Sequence, residues 1–195
     1  MKIINLSVGR KIYTSNVYLV TGDWNKLSDV NTLIDVGRDP TIFEKIDQAS
    51  TGVGKKRIQK VVLTHSHYDH ATLLPMIKKR YNPKTYAAST VLENVDVILK
   101  GGERLKIGDQ EFEVIYTPGH SNDSICLYCK KEKILFAGDT PLVIRTKDTT
   151  YEKAFIHALE EISKKEIETI YFGHGDPLIG ECKKVLLNSL NNAKS

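Results

Sequence analysis

The segment Thr64–His70, THSHYDH, places three of the chain's six histidines and an aspartate within six residues. A strand-like run, KVVLT, leads directly into this segment. Side chains two residues apart in an extended segment project to the same side, so His65 and His67 can share one metal ion. Asp69 and His70 then turn toward a second position close by. One short peptide therefore predicts ligands for two metals, and the chain must fold so that other segments complete both sites.

The composition indicates what kind of chain surrounds this segment. With 195 residues, 41% of them hydrophobic, the chain is long enough for one domain with a sizeable core, and we expect a single domain over residues 1–195. The net charge of +4 comes from 28 basic and 24 acidic residues that are mixed along the chain. Such dispersal favours solubility over a nucleic-acid-binding face, so no nucleic-acid partner is expected.

The location of the protein is predicted from its apolar runs and its cysteines. The N-terminal run in MKIINLSVGR is too short for a signal peptide, and no stretch approaches the roughly 20 apolar residues of a membrane span. Three cysteines, an odd and small number, fit a reducing compartment. We therefore expect a cytoplasmic enzyme without a membrane partner.

Cys126 and Cys129 form a C-x-x-C pair inside SICLYC, an alternating run that predicts a strand. Positions three apart in a strand point to opposite faces, which does not suit a shared metal or a redox pair. The chain also has no second C-x-x-C to complete a zinc ribbon. The pair is expected to be structural.

The hydrophobic pattern predicts strands and helices in alternation, without repeats or low-complexity tracts. Strands are expected at KIINLSV, NVYLVTG, NTLIDVG, KVVLTH, TYAAS and ETIYFGH, and hairpins at LKIGDQEFEVIY and SICLYCKKEKILFAGD. Helices are expected at PTIFEKIDQAS, at HATLLPMIKKRY with a break at Pro75, at YEKAFIHALEEISKK and at CKKVLLNSLNN. This proportion predicts a layered α/β or α+β fold with the helices covering the strands.

Four strand-like runs end in a residue that can bind a metal: His65, His120, Asp139 and His174. Loops beyond strand ends are where layered α/β folds build their sites, because the sheet fixes the strand end while the loop varies. Five of the six histidines are thereby assigned to one place. The sixth, His157, lies in a helical pattern and is expected to be an ordinary surface or partly buried side chain.

The mixture of imidazole nitrogen and carboxylate oxygen suits Zn²⁺, iron or Mn²⁺. The absence of thiolates argues against a closed structural zinc site. Two neighbouring cations repel each other, so an anionic ligand shared between them is needed, and Asp139, alone at a strand end, suits that bridging position.

The run H-x-H-x-D-H, followed in order by PGHS, FAGDT and FGHG, resembles the metallo-β-lactamase superfamily, and most closely its glyoxalase II-like small hydrolases. The resemblance implies a four-layer αββα sandwich with a dinuclear site at one edge of the paired sheets. Residue by residue, it implies one metal held by His65, His67 and His120. It implies a second metal held by Asp69, His70 and His174, with the Asp139 carboxylate bridging the two metals.

The resemblance also implies a mechanism, in which a hydroxide that bridges two divalent ions attacks a small ester-type substrate. Zinc is the first expectation for both ions, with iron and manganese as alternatives. Asp69 would serve as ligand and proton shuttle together, and Asp139 would bridge the ions, so these two aspartates are the predicted catalytic residues. A thioester or a lactone is the expected small-molecule substrate.

Departures from the family pattern concern the substrate. Ala71-Thr72 and Asn122-Asp123 stand where the small hydrolases often have Gly-Gly and Pro-Gly, which changes the loops around the site. Only 21 residues follow His174, which leaves no room for the helical domain that binds glutathione in glyoxalase II enzymes, so a glutathione thioester is not the expected substrate. Glu is usual in flavin-partnered diiron enzymes where this chain has His67, which argues against that branch.

Three alternatives stay open. A mononuclear-iron enzyme of the persulfide dioxygenase kind would use the equivalents of His65, His120 and Asp139, which are a subset of the ligands present. A phosphodiesterase or nuclease is disfavoured by the length and the dispersed charge. A non-catalytic metal-binding protein would not need a complete ligand set. The sequence is also compatible with a homodimer through apolar residues on the outer helices.

Four further residues are weaker candidates for the site. Asp35 ends a strand-like run and could orient a ligand histidine, or simply cap the turn before Gly37. Tyr68, inside the motif, could line the pocket. Arg145 and Lys147, in the segment PLVIRTKDTT after Asp139, could receive an anionic group of the substrate, although a solvated loop is the simpler interpretation.

Overall fold

The computed structural model describes residues 1–147 and 150–194, and its first half builds one six-stranded sheet. The strands stand in chain order: β1 (Lys2–Asn5), β2 (Tyr18–Thr21), β3 (Thr32–Ile34), β4 (Lys60–Val62), β5 (Lys84–Ala87) and β6 (Val97–Ile98). β1 to β3 pair antiparallel, whereas β3 to β6 pair parallel. Parallel neighbours need crossover connections. These contain α1 (Ile42–Gln48), α2 (Tyr68–Ala71) and α3 (Leu74–Tyr81).

The second half builds another six-stranded sheet in the order β12-β11-β10-β9-β8-β7. Its strands are β7 (Arg104–Ile107), β8 (Gln110–Tyr116), β9 (Ile125–Cys129), β10 (Ile134–Gly138), β11 (Thr169–Phe172) and β12 (Leu178–Ile179). Helix α4 (Lys153–Ser163) connects the parallel pair β10 and β11, and α5 (Cys182–Lys194) follows β12. No helix in the described ranges is long and apolar enough to cross a membrane.

Three apolar clusters show how the elements are layered. The central cluster fills the space between the two sheets and includes Val20, Ile34, Phe112, Leu127 and Phe136. A second cluster joins the outer face of the first sheet to α1 and α3, and a third joins the outer face of the second sheet to α4 and α5. The predicted αββα sandwich is therefore confirmed, and burial of these apolar faces supplies the main driving force for folding.

Local sequence signals account for the boundaries of several elements. Pro75 lies in the first turn of α3, where a backbone N–H would have no partner within the helix, so its absence removes no helical hydrogen bond. The predicted break separates α2 from α3. Asn82 ends α3 in the left-handed conformation with φ +46°. Gly108 at φ +60° forms the predicted two-residue turn between β7 and β8. The two-residue strands β6 and β12 were not predicted, because two residues are too few to show a periodic pattern.

The C-x-x-C pair lies in β9, as predicted, and both thiols are buried. Cys126 packs in the cluster beneath α4 and α5, whereas Cys129 packs in the cluster between the sheets. Burial raises the pKa of Cys126 to about 11 and also raises that of Cys129. Two thiols on opposite faces of a strand are packing residues, which confirms the structural interpretation.

Candidate metal centre

The centre lies at the edge where several strands end, in agreement with the strand-end pattern of the sequence. His65 follows β4, Asp139 follows β10 and His174 follows β11. His120 lies in the loop between β8 and β9. The structure brings together all seven residues that the resemblance implied as metal ligands.

The first triad consists of His65, His67 and His120, whose candidate ligand nitrogens all lie within 4.8 Å of one another. His67 Nδ1 and His120 Nε2 are 2.9 Å apart. His65 is buried, whereas His67 and His120 are exposed. The triad therefore has one side in the protein and another side open to solvent.

The second triad consists of Asp69, His70 and His174. Asp69 Oδ2 lies 3.0 Å from His174 Nε2 and 3.9 Å from His70 Nε2. Asp69 and His70 are buried and His174 is partly exposed. This triad differs from the first because it contains a carboxylate.

Asp139 lies between the two triads. Its Oδ1 is 3.3 Å from His70 Nε2, and its Oδ2 is 3.6 Å from His120 Nε2 and 3.5 Å from His174 Nε2. One carboxylate thus reaches ligand atoms of both triads, which is the position a bridging ligand requires.

The chemistry of these donors fits divalent metal ions. His65 Nε2 and His70 Nε2 are buried nitrogens without a hydrogen-bond partner. Buried polar atoms are rarely left unpaired because of the desolvation cost, and metal coordination would satisfy both nitrogens. Imidazole and carboxylate donors together match the preferences of Zn²⁺, iron and Mn²⁺.

Asp35 supports the centre from beneath. Its carboxylate accepts hydrogen bonds from the Thr64 backbone N–H at 2.7 Å and the Thr64 hydroxyl at 2.8 Å, and its Oδ2 lies 2.8 Å from His70 Nδ1. Residues that bind the outer nitrogen of a ligand histidine fix its ring orientation. The predicted contact between Asp35 and a histidine of the motif is therefore present, and the turn before Gly37 also forms, with Asp35 at φ +58°.

The electrostatics of the buried residues favour different protonation states. Burial lowers the pKa of His65 to about 4, so its imidazole is neutral and ready to bind a cation. Burial also opposes the charged form of His70, but the Asp35 and Asp139 carboxylates outweigh it and raise the pKa of His70 to about 10. Against its own burial, the nearby imidazoles of His174 and His70 hold the pKa of Asp139 well below its usual range. Asp139 is therefore an anion at neutral pH.

Gly173, immediately before His174, allows the segments to approach closely. A Cβ atom at this position would overlap Asp139 Oδ1 and the His70 ring. The Gly173 backbone N–H also donates to Gly138 O at 2.8 Å. Sequence reasoning missed this glycine, although its place within FGH was a signal that backbone approaches a site here.

Tyr13 is the second residue that sequence reasoning missed. Its ring stacks on the His174 ring with centroids 5.2 Å apart and 14° between the planes, and its hydroxyl lies 3.5 Å from His174 Nε2. Nothing in the local pattern around Tyr13 distinguishes it, since its partner lies 161 positions away.

The weaker candidates lie in different places. Tyr68 is 60% exposed, and the Arg38 guanidinium stands 5.2 Å from the centre of its ring, beside the motif. Arg145 and Lys147 are exposed. The chain before Arg145 is held to α5 by the hydrogen bond from Ile144 N to Ser189 Oγ at 2.9 Å, and Arg145 lines a surface depression along α5. Residues 148 and 149 of that segment lie outside the described ranges, and the substrate role of Arg145 and Lys147 stays a prediction.

His157 lies on the exposed surface of α4, with its side chain 80% accessible and Glu160 Oε2 at 3.9 Å from its Nδ1. It is absent from the groups of side chains that could hold a metal in the described part of the chain. The prediction of an ordinary surface histidine is confirmed.

Comparison with known proteins agrees with this site. The model of the metallo-beta-lactamase superfamily matches residues 11–174, which include all seven candidate ligands. The chain therefore belongs to the metallo-beta-lactamase superfamily. The resemblance seen in the motifs is confirmed, and relatives named as hydrolases agree with the prediction of an enzyme.

Individual relatives are similar to parts of the chain. A hydroxyacylglutathione hydrolase of Francisella tularensis is 35% identical over 88 residues, which are 44% of this chain and 35% of that protein. An atrochrysone carboxyl ACP thioesterase of Aspergillus fumigatus is 26% identical over 147 residues, 73% of this chain and 46% of that protein. The chain thus spans less than half the length of each. The crystal structure of ETHE1 from Myxococcus xanthus has the same fold, with a TM-score of 0.73 and 19% sequence identity. The match covers 98% of this chain and 85% of that one.

Proposed function

We propose that the protein is a metal-dependent hydrolase that binds two divalent ions and cleaves a small ester-type substrate, most favourably a thioester or a lactone. One observation carries the proposal: two triads of ligand side chains share the carboxylate of Asp139, and two buried histidine nitrogens beside it have no hydrogen-bond partner. A structural metal site would enclose its ion completely, whereas this group is open on the side of His67 and His120.

Each side chain has a defined part in this proposal. His65, His67 and His120 would hold one ion, Asp69, His70 and His174 would hold the other, and Asp139 would contact both. Divalent ions supply the chemistry by lowering the pKa of bound water to about 7, so that hydroxide is available at neutral pH. Zinc is the preferred ion, with iron or manganese as alternatives.

The protein's own residues orient the ligands and handle the proton. Asp35 holds His70 through Nδ1 and thereby directs Nε2 toward the centre. Asp69 is 5% exposed and its Oδ2 lies 3.0 Å from His174 Nε2, so this carboxylate stands at the centre and would accept the proton that the attacking water releases. We infer that Asp69 and Asp139 are the catalytic carboxylates.

The site and the names of the relatives support the proposed substrate class. One relative is named as a hydrolase of hydroxyacylglutathione and another as an acyl carrier protein thioesterase, which supports an acyl thioester. A lactone has an oxygen atom in place of the thioester sulfur, and its hydrolysis needs the same attack on an acyl carbon. We infer that the substrate is a small molecule, and that Tyr68 and Arg38 at the open side contact it.

Elemental analysis followed by a substrate panel tests this proposal. Protein purified without added metal should contain two equivalents of zinc, iron or manganese per chain and should hydrolyse members of a thioester and lactone panel. One equivalent of iron with oxygen uptake on a persulfide would instead support the mononuclear dioxygenase. Full metal loading without turnover on thioesters, lactones and phosphodiesters would support a non-catalytic metal-binding protein.

The cellular setting is also a proposal. Three buried, unpaired cysteines and the mixed surface charge support a cytoplasmic protein without a nucleic-acid or membrane partner. Exposed apolar side chains on the outer layer, such as Leu187 on α5, leave a homodimer open. Size-exclusion chromatography with light scattering measures the oligomeric state.

A further inference from the structure

Tyr13 occupies a defined place at the open edge of the candidate metal centre. Its ring covers one face of His174, and its hydroxyl lies 3.5 Å from His174 Nε2, the atom that also faces Asp69 and Asp139. The side chain is nevertheless 60% exposed. The hydroxyl is therefore directed toward the reacting region while remaining accessible to a substrate.

The backbone that follows Tyr13 is clamped between the segments that carry the ligands. Thr14, Ser15 and Asn16 are buried. Ser15 N donates to Asp69 O at 3.0 Å, and Asn16 N donates to Gly173 O at 2.6 Å. These bonds tie the segment to both motifs, so the fold fixes the position of Tyr13 relative to the second triad.

A further pair of hydrogen bonds strengthens this clamp. The Asn16 side-chain amide donates to Gly175 O at 2.8 Å and to Phe172 O at 3.0 Å, on either side of His174. The Asn16 side chain, together with the Thr14 hydroxyl that donates to Asp69 O at 3.4 Å, thus holds the backbone beside the ligands. An exposed tyrosine on so rigid a support is preorganised for binding.

The two sides of the centre differ in charge, which indicates what Tyr13 would contact. The first triad contains three imidazoles and only the shared carboxylate of Asp139 beside them, so an ion held there would keep more of its positive charge and would be the better partner for an acyl oxygen. The Tyr13 side contains the Asp69 carboxylate together with Asp139. Negative charge that develops on a departing atom at this side faces two carboxylates, and a hydrogen-bond donor there offsets the repulsion.

We propose that Tyr13 is a catalytic residue whose hydroxyl donates a hydrogen bond to the departing atom of the substrate, an inference that rests on the proposed hydrolase function. Water loses one proton to Asp69 as its oxygen bonds to the acyl carbon, the bond from that carbon to sulfur or oxygen breaks, and the electron pair leaves on the departing atom. Asp69 then returns its proton to solvent. That atom then takes a proton from solvent, so the products are a carboxylic acid and a thiol or alcohol.

Removal of the hydroxyl from Tyr13 tests this role through the leaving group. A hydrogen bond to the departing atom matters more as that atom becomes more basic. Tyr13→Phe keeps the ring on His174 and should lower kcat about 100-fold on δ-valerolactone, whose leaving group is an alkoxide. On para-nitrophenyl acetate, whose leaving group is weakly basic, the loss should be less than about threefold.

Two controls separate this role from a structural one. Tyr86→Phe removes the same hydroxyl from a half-buried tyrosine on β5 and should leave both rates unchanged. The metal content of Tyr13→Phe should equal that of the wild type. Calorimetry supplies a measurement that needs no turnover: mercaptoethanol, a model of the thiol product, should bind several-fold more weakly to Tyr13→Phe, and acetate should bind equally to both proteins.

The possible results are distinct. An equal loss of kcat on both esters would mean that the hydroxyl donates to the acyl oxygen instead, which would overturn the proposal. Unchanged rates, or a loss of metal from Tyr13→Phe, would also overturn it. If the wild type with full metal hydrolyses neither of these esters nor any member of the thioester and lactone panel, the proposed function fails, and the mercaptoethanol comparison then decides for or against a hydrogen bond from Tyr13 to a departing thiol.

Discussion

The candidate centre has two regions that differ in how they are held. The buried floor consists of His65, Asp69 and His70, which are at most 5% exposed. The exposed rim consists of His67, His120 and His174, of which His120 and His174 have side chains about 30% exposed.

The floor is integrated into the packing of the first sheet. His70 Nδ1 is bound to Asp35, and the His70 carbonyl accepts hydrogen bonds from the backbone N–H groups of Val36 and Gly37. The rim residues lie in loops and contact mainly one another and the carboxylates. A change in the floor should therefore affect both folding and metal binding, whereas a change in the rim should affect metal binding and activity alone.

Loss of a rim histidine should give the largest effect on activity. His120→Ala should lower turnover about 1,000-fold, since a metal ion contributes several kcal/mol to such a reaction, and should reduce the metal content by one equivalent. The free energy of unfolding of the metal-free protein should change by less than about 1 kcal/mol, because this loop side chain is not part of the core. Steady-state kinetics, elemental analysis and urea unfolding in chelator measure the three quantities. Full activity in this variant would show that the motif has been misinterpreted.

Loss of the support under the floor should disturb folding as well. Asp35→Ala leaves Thr64 N and His70 Nδ1 without their buried acceptor and should lower the free energy of unfolding by about 3 kcal/mol. Metal affinity should fall about 10- to 100-fold. Urea unfolding and metal titration provide the data, and Asp35→Asn, which keeps one acceptor oxygen, should lie between the two proteins. An Asp35→Ala protein as stable as the wild type would remove the distinction between floor and rim.

Metal binding should displace a proton from the floor. The pKa of His70 is raised to about 10 in the metal-free protein, so at pH 8 its ring is protonated and a metal ion must replace that proton. About one proton per chain should be released from His70 on zinc loading at pH 8, measured in weak buffer with an indicator dye. His65, with its pKa lowered to about 4, should release none.

The same pKa shift sets a pH dependence for the metal-free protein. Because the folded state raises the pKa of His70, the resulting stabilisation is complete below the unfolded pKa of about 6.5 and is lost as the pH rises through about 10. Urea unfolding in chelator across this window measures it. Stability that is independent of pH there would contradict the charged state of His70.

A histidine outside both regions should have the smallest effect. His157→Ala should keep both metal equivalents and should change the free energy of unfolding by less than about 0.5 kcal/mol, since the ring is exposed and its ion pair with Glu160 is long. Elemental analysis and urea unfolding are sufficient. Loss of a metal equivalent would mean that the sixth histidine had been assigned incorrectly.

The sequence by itself determined the set of candidate ligands and most of the elements. One short motif contains His65, His67, Asp69 and His70. Alternating apolar residues predicted the longer strands, because the two-residue period of a strand is visible in neighbouring positions of the sequence. Such strand-like runs also precede His120, Asp139 and His174, which predicted that these residues would lie together at one edge of the sheets. Their order also carried the family resemblance that the family match confirmed.

The tertiary structure alone decided which of these residues is buried and what holds each one. The contact of Asp35 with His70 joins the end of β3 to helix α2, and the stacking of Tyr13 on His174 joins the first sheet to the second. Gly173 is required only because Asp139 and His70 pack against it from other segments. No periodic pattern in the sequence predicts these contacts. They form only when the apolar faces of the two sheets pack together and bring distant strand ends to one edge.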